Sequence, residues 1–442
     1  MAGLPRGPSQ RVSNRTALVL TFTLLTIALL VVVAVWTPWT TLPLHGVAAV
    51  PSDPSRDFTA GQLARENSYH AAVRPPAYLS FALGIVVALG LGLTPAGARI
   101  VSALAAPLGG GWGWRVLLGT IALTAIGRLV VLPFDARAEM AERRFGLSTQ
   151  TWASWGLDAV KGYGVGLVLT LLLLFGVIGL ARWSPQWWWS FGAVFGALLV
   201  VVVSFAYPVV VEPVFNSFTS MSAGELRTSL LSMAARDGVP ARDVLVADAS
   251  RRTNSLNAYV SGFGATRRIV VYDTLLKDAT QDEVRLIVAH ELGHAKAGDV
   301  LWGTFIGAIG VAVAVSLLGL LLRWPWLLDR AGVGGPADAR AIALLLALLA
   351  LISFVSGPAQ NLVSRRIEAR ADLHSLNLTH EPDQFVAMQR RLATTNLSDL
   401  DPSPLVFGMF STHPTAPQRI ALARNWARVH DVPVPPPSVP TR

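Results

Sequence analysis

Two histidines, His290 and His294, bracket an acid in the segment HELGH at residues 290–294. On a helix that four-residue spacing puts both imidazoles on one face, able to grip one metal ion. Glu291 then lies beside the same metal, where it can take a proton from a water. The chemistry implied is zinc-dependent hydrolysis. A His-Glu-two-spacers-His match also arises by chance in roughly one chain in a hundred of this length, so context decides. Thr280 and Glu283 form a T-x-x-E capping box upstream, and Val284, Leu286, Ile287 and Val288 supply a buried face. Gly298 and Asp299 suit the helix end. The spacing therefore predicts that the motif falls within a helix, as metal binding requires.

A catalytic zinc site takes three protein ligands and leaves one open position. The chain has no cysteine, so thiolates are excluded and the third ligand is His, Asp or Glu. Glu368, in SRRIEARADLHS at 364–375, is the best candidate, ahead of Asp299, His374 and His380. Asp372 follows one helical turn later on the same face, placed to accept the free ring N–H of a ligand histidine and fix its tautomer. Alone, either acid reads as part of a charged helix surface paired to Arg365, Arg366 or Arg370. Beside HELGH, the need for a third ligand favours Glu368.

The elements that position these groups are unusual for a hydrolase. The chain is 52% hydrophobic and only 14% charged over 442 residues, with a mean hydropathy of +0.49. Soluble proteins carry about 25% charged residues, so this composition is that of a membrane protein. Seven segments are apolar enough to span a bilayer: 17–36, 78–95, 115–133, 162–181, 187–208, 300–322 and 339–358. Tryptophans gather at their ends (Trp36 and Trp39, Trp112 and Trp114, Trp187 to Trp189, Trp324 and Trp326), the pattern of aromatic belts. Arg128 falls inside the third span, where a charge faces a polar interior, pairs with an acid or snorkels. The first span, preceded by Arg6, Arg11 and Arg15, is long for a signal-peptide core of about 7–15 residues.

The net charge of +9 is spread through loops, which suits anionic lipid headgroups and not nucleic acid. Arg56, Arg65, Arg74, Arg137, Arg143, Arg144 and Lys161 lie on the side of the catalytic region, and the opposite loops carry little charge. The positive-inside rule therefore expects a cell-membrane protein whose catalytic region is cytoplasmic.

The expected units are 1–75, a first span with a long loop; 76–208, spans two to five; 209–299, with the metal helix; 300–358, spans six and seven; 359–430, with the third ligand; and a Pro-rich tail, 431–442, expected to be disordered. Within 209–299, Ser222 and Glu225 form a second capping box before a helix ending near Asp237 and Gly238. Residues 243–247 and 268–272 read as strands.

Several stretches together resemble the type I CAAX prenyl protease family of integral-membrane zinc endopeptidases. ERRFGLSTQTW at 142–152 with DAVKG at 158–162 is similar to the family's loop after the third span. EPVFNSFTSMSAGEL at 212–226 resembles its lead-in to the catalytic domain, and NAYVSGFGATRRIVVYDTLL at 257–276 its strand-and-turn segment. HELGH, EARAD and STHPTAPQRI at 411–420 complete the pattern, over residues 75–425. The resemblance implies a mainly α polytopic fold: seven transmembrane helices around an intramembrane chamber, capped by a small α+β gluzincin-type catalytic domain. It also implies roles that spacing does not. Asn257 would position the substrate backbone, His413 would stabilise the oxyanion, and Arg419 would make a structural or substrate-carboxylate contact. The first 75 residues match little, and the Ala-, Val- and Arg-rich composition suits a high-GC bacterium.

The function expected is zinc-dependent peptide hydrolysis with one Zn2+ per chain, held by His290, His294 and Glu368. Glu291 is the general base and Asp372 fixes a ligand. The partners expected are membrane lipids and a peptide or protein substrate, lipidated or not. The alternatives are a membrane-protein quality-control protease without prenyl specificity, a non-catalytic scaffold and a transporter. The transporter reading is disfavoured because no inverted repeat is visible.

Overall fold

A computed structural model describes residues 8–439 apart from 45, 263, 265 and 266, with the side chains of 8–13 also left aside. Arg6, the Arg11 side chain, three residues of the strand-and-turn segment and the last three of the tail thus lie outside the described residues. The helices in chain order are α1 (Pro8–Trp36), α2 (Ala60–Gly92), α3 (Pro95–Ala105), α4 (Trp112–Phe145), α5 (Trp152–Trp183), α6 (Trp188–Ala206), α7 (Glu212–Phe215) and α8 (Glu225–Arg236). They continue as α9 (Asp273–Asp278), α10 (Gln281–Ala297), α11 (Asp299–Leu321), α12 (Pro325–Ala331), α13 (Ile342–Thr379), α14 (Pro382–Thr395), α15 (Pro404–Phe410) and α16 (Ala416–Val429). The strands are β1 (Phe218–Ser220), β2 (Asp243–Ala247), β3 (Ala258–Ser261) and β4 (Arg268–Tyr272).

Among the described residues seven helices are long and apolar enough to cross a membrane, and they coincide with the seven expected segments. The protein is a multi-pass membrane protein. A π-turn at Tyr207–Val211 joins α6 to α7, so the fifth span runs on to Phe215. Several helices extend well beyond a bilayer's thickness. At about 1.5 Å per residue, the 38-residue α13 runs out of the membrane and delivers Glu368 and Asp372 to the catalytic side. The packing surfaces between helices are small. A Cβ at Gly92 or Gly97 would meet Ala343 at under 3 Å, so α2 and α3 seat against α13 by backbone approach.

One core holds the membrane helices together around Leu18, Val101, Ile178, Trp188 and Ile342. A second core belongs to the catalytic region: Leu230, Ile269, Leu286, Leu292, Phe385, Ile420 and Trp426 are buried in it. Its sheet has the order β1-β2-β4-β3. β2 and β4 pair in parallel, and β1 and β3 add antiparallel at the two edges. The runs 243–247 and 268–272 became strands as expected. The expected capping box at Ser222 and Glu225 did not form: α8 starts at Glu225 with Gly224 as its N-cap and no side-chain cap. The chain is extended through Gly224, which puts Ser222 outside the first turn, and Glu225 meets the helix dipole directly.

The tail also departs from expectation. Arg424 is almost fully buried and pairs with the buried Asp57, while its remaining N–H groups donate to the Pro435 and Pro436 carbonyls. Val439 N–H donates to the Arg56 carbonyl. A proline-rich segment has no ladder of its own, but its carbonyls are free acceptors, and a buried arginine needs five. Ala48, Val50 and Asp57 of the first loop and Pro435 and Pro436 of the tail are therefore bound to α16.

Candidate active site and metal centre

Helix α10 opens with the capping box read from the sequence. Thr280 Oγ1 accepts from Glu283 N–H at 3.3 Å, and Glu283 Oε2 accepts from Thr280 N–H at 2.8 Å. It ends at Gly298, whose φ of +71° turns the chain sharply into α11. Between these ends, Gly293 lets α13 approach: a Cβ there would lie 2.9 Å from His374 Cβ. The glycine of HELGH is thus a packing requirement, and it brings Glu368 opposite the two histidines.

His290, His294 and Glu368 form one cluster, with a ligand atom from each lying within 4.8 Å of the others. His290 Nε2 and His294 Nε2 are 3.2 Å apart. Glu368 Oε2 lies 3.3 Å from His290 Nε2, and Oε1 lies 3.5 Å from His294 Nε2. The other nitrogen of each ring faces a carboxylate. His290 Nδ1 is 2.9 Å from Asp372 Oδ1, and His294 Nδ1 is 2.7 Å from Asp299 Oδ2. Ionised carboxylates only accept. Each Nδ1 is therefore the protonated nitrogen of the neutral ring, which leaves Nε2 as the nitrogen able to bind a metal ion or a second proton. Two such nitrogens meeting at 3.2 Å, next to a carboxylate oxygen that is buried and makes no hydrogen bond, call for a cation between them. The donor set fits a metal ion on this ground, and imidazole with carboxylate suits zinc.

The electrostatics agree. Burial opposes charge on His290, yet Asp372 and Glu368 outweigh it and push that imidazole up to about 10. The spot favours positive charge, as a proton or as a metal. Burial pushes the Glu291 carboxyl above the ordinary carboxylate range, with the two histidines opposing. That is the direction a base needs if it is to hand a proton on at neutral pH.

Asp372 is fully buried and is held by Arg419, whose Nε donates to Oδ2 at 2.8 Å and whose Nη2 donates to Oδ1. The guanidinium also lies 3.3 Å from His290 Nδ1. The Arg419 side chain also borders the cavity above the cluster. His413 Nε2 reaches Glu368 Oε1 at 3.4 Å, and its Nδ1 lies 2.8 Å from Thr412 Oγ1. Asn257 sits just before the edge strand β3 and, with Ala258 and Tyr259, lines the same cavity of about 600 Å³. Among the described residues β3 pairs only with β4, which leaves it an edge strand beside that cavity.

The weaker ligand candidates lie elsewhere. His374 pairs with the buried Asp237 at 2.9 Å, and Lys296 reaches the same acid at 2.6 Å. His380 ends α13 with a φ of +55° and packs on Trp426. Asp299 joins the site as the partner of His294, itself paired to Arg370. The sequence offered it as part of the helix end and as a weaker ligand candidate. The αL turn at Gly298 carries this acid back onto the last turn of the helix it follows. Arg128, in the membrane, pairs with Asp135, which also accepts from Ser80 at 2.8 Å.

Comparison with known proteins places this arrangement. The sequence model of peptidase family M48 matches residues 220–427. That of the CAAX prenyl protease N-terminal region, five membrane helices, matches residues 44–217. An uncharacterized metalloprotease of Bacillus subtilis, YhfN, is 33% identical over 310 residues, covering 69% of this chain and 72% of that protein. The CAAX prenyl protease 1 homolog of Arabidopsis thaliana is 29% identical over 303 residues, covering 65% of this chain and 68% of that protein. The fold matches the crystal structure of Ste24p from S. mikatae with a TM-score of 0.73 at 21% identity, over 95% of this chain and all of that one. The chain belongs to peptidase family M48, as a membrane-embedded metalloprotease homologous to the CAAX prenyl proteases.

Proposed function

We propose that the protein is a zinc endopeptidase whose catalytic unit is assembled from residues 209–299 and 359–430, with His290, His294 and Glu368 as the metal ligands. The observation that carries this reading is the pair of facing Nε2 atoms, 3.2 Å apart, beside the unpartnered Glu368 oxygen. Zinc held there would supply Lewis acidity, lowering the pKa of a water toward about 7 and polarising a carbonyl. Glu291 takes the proton from the attacking water and delivers it to the leaving amine. Thr412 Oγ1 lies 2.8 Å from His413 Nδ1; in the tautomer in which the hydroxyl donates, Nε2 of that ring carries a proton and serves as the donor to the oxyanion. Asp372 and Asp299 hold the two ligand imidazoles in one tautomer. The substrate lies extended along the edge strand β3, with Asn257 contacting its backbone and Arg419 fixing Asp372 at the cavity wall.

We infer that the catalytic face is cytoplasmic. Loop residues Val50, Asp57, Gly146, Thr149 and Asn216 are hydrogen-bonded to the catalytic region, on the side of the cluster. Asn14, Gln186 and Arg323 meet at the other end of the bundle. The substrate is a membrane-associated or CAAX-type chain, and lipids surround the helices. The second reading is a quality-control protease without prenyl preference, favoured by the polar β3 edge, which engages backbone and not a specific side chain. Detergent-purified protein offered a farnesylated peptide ending in C-a-a-X and its unprenylated counterpart separates the two, with Glu291→Gln as control. Cleavage of the farnesylated peptide alone supports processing of lipidated chains. Equal cleavage supports the general protease. Release of product by Glu291→Gln equal to that of the unaltered protein contradicts the assignment of the base.

A further inference from the structure

Two cavities lie end to end in this molecule. The first, at the metal cluster, holds about 600 Å³ and is lined by polar as much as apolar groups. The second, within the membrane helices, holds about 800 Å³ and is walled largely by apolar side chains from α2, α4, α5 and α13, including Phe81, Ile85, Val131, Leu167 and Phe354. Among the described residues one borders both: Phe410, the last residue of α15. Its ring stacks on Tyr78 at 5.1 Å and meets the edge of Phe81 at 5.9 Å, and Phe81 in turn lies 5.8 Å from Phe354. The backbone around it is pinned to α13. Asn361 donates to the Met409 carbonyl at 2.6 Å, and Arg365 donates to the carbonyls of Phe407 and Ser411. Three residues further on the same segment reaches His413, over the metal cluster.

An aromatic ring that is 44% exposed, on a fixed backbone between a polar and an apolar cavity, is placed to separate them. We propose that Phe410 is a specificity-determining residue: a septum that limits how far an apolar chain carried by the substrate near its scissile bond extends into the membrane chamber. This rests on the endopeptidase reading above. The chamber suits an unbranched or branched hydrocarbon because it lies within the bilayer helices and continues directly from the cavity that holds the peptide.

The test uses two peptides that differ only in the group on one cysteine sulfur, methyl or hexadecyl. Turnover is measured with the full-length protein, and binding is measured by fluorescence anisotropy in the Glu291→Gln background. Phe410→Ala joins the two cavities. It should raise preference for the hexadecyl peptide over the methyl peptide about tenfold, chiefly through KM and through Kd, the effect of burying about two further methylenes. Phe410→Trp should lower that preference, and Phe410→Leu should fall between Ala and Phe. The same preference in all four proteins overturns the septum. If the unaltered protein cleaves neither peptide, the endopeptidase reading fails on these substrates, and the ratio of binding constants still decides the role of Phe410. A Phe410→Ala protein that loses its fold leaves the Trp and Leu variants to carry the same comparison.

Discussion

The catalytic cavity and the membrane chamber are of similar size and are built by opposite means. The catalytic cavity takes its groups from separate segments of the chain, and three of them are fixed by polar partners: His290 by Asp372, His294 by Asp299, Asp372 by Arg419. The chamber takes its walls from continuous helix faces, and its one charged member, Arg128, is paired with Asp135. Catalytic geometry here depends on a few charge-assisted hydrogen bonds in a dry place, so single substitutions act steeply. The chamber depends on summed apolar area, so single substitutions act shallowly.

The steepest break is Glu291→Gln, which removes the base and keeps the ligands. Turnover should fall by at least about a thousandfold, with metal content per chain unchanged by elemental analysis. Next is Arg419→Ala. It leaves Asp372 buried with its charge unpaired, a change that costs about 3–5 kcal/mol, and thermal melting should show a lower Tm together with weaker metal retention. Asp372→Asn and Asp299→Asn should each weaken metal binding by about 10- to 100-fold in a competitive chelator titration. The Asp372 variant should suffer more, because that acid is fully buried and also holds Arg419.

Acid should act in the same direction as these variants. The folded-state pKa of His290 is raised to about 10, so below that pH a metal must displace a proton from this ring. Apparent metal affinity should fall by roughly tenfold per pH unit of acidification between pH 8 and pH 6, measured with the same chelators. At the shallow end stands Arg128→Ala in the chamber. Cleavage of a short unmodified peptide should stay within about twofold of the original rate, since this guanidinium touches none of the groups at the metal cluster.

Most of the catalytic cavity was legible as spacing. HELGH, the Thr280 capping box and the one-turn step from Glu368 to Asp372 each encode a local geometry that survives into the fold. Asp299 was not legible as a partner of His294, because its role depends on the αL turn at Gly298. The Ser222 box failed because a capping motif states what a side chain can do, and Gly224 placed the helix start elsewhere. The seven spans were legible because twenty apolar residues have few other fates. The proline-rich tail was misread, because composition shows that a segment has no core of its own but not that Arg424 and Arg56 supply its partners from distant sequence. The chamber itself left no motif. Phe410 is an ordinary hydrophobic residue in the sequence, and only the register of α15 against Tyr78 and Phe81 marks it out.

The central claim is that His290, His294 and Glu368 hold a metal ion that Glu291 uses to hydrolyse a peptide. It is tested most directly by measuring bound zinc per chain and peptide turnover, in parallel, for the unaltered protein, Glu291→Gln and Glu368→Gln. The account predicts one zinc with turnover, one zinc without turnover, and loss of both. Full turnover by Glu291→Gln, or zinc retained at one per chain with unaltered affinity in Glu368→Gln, would contradict it.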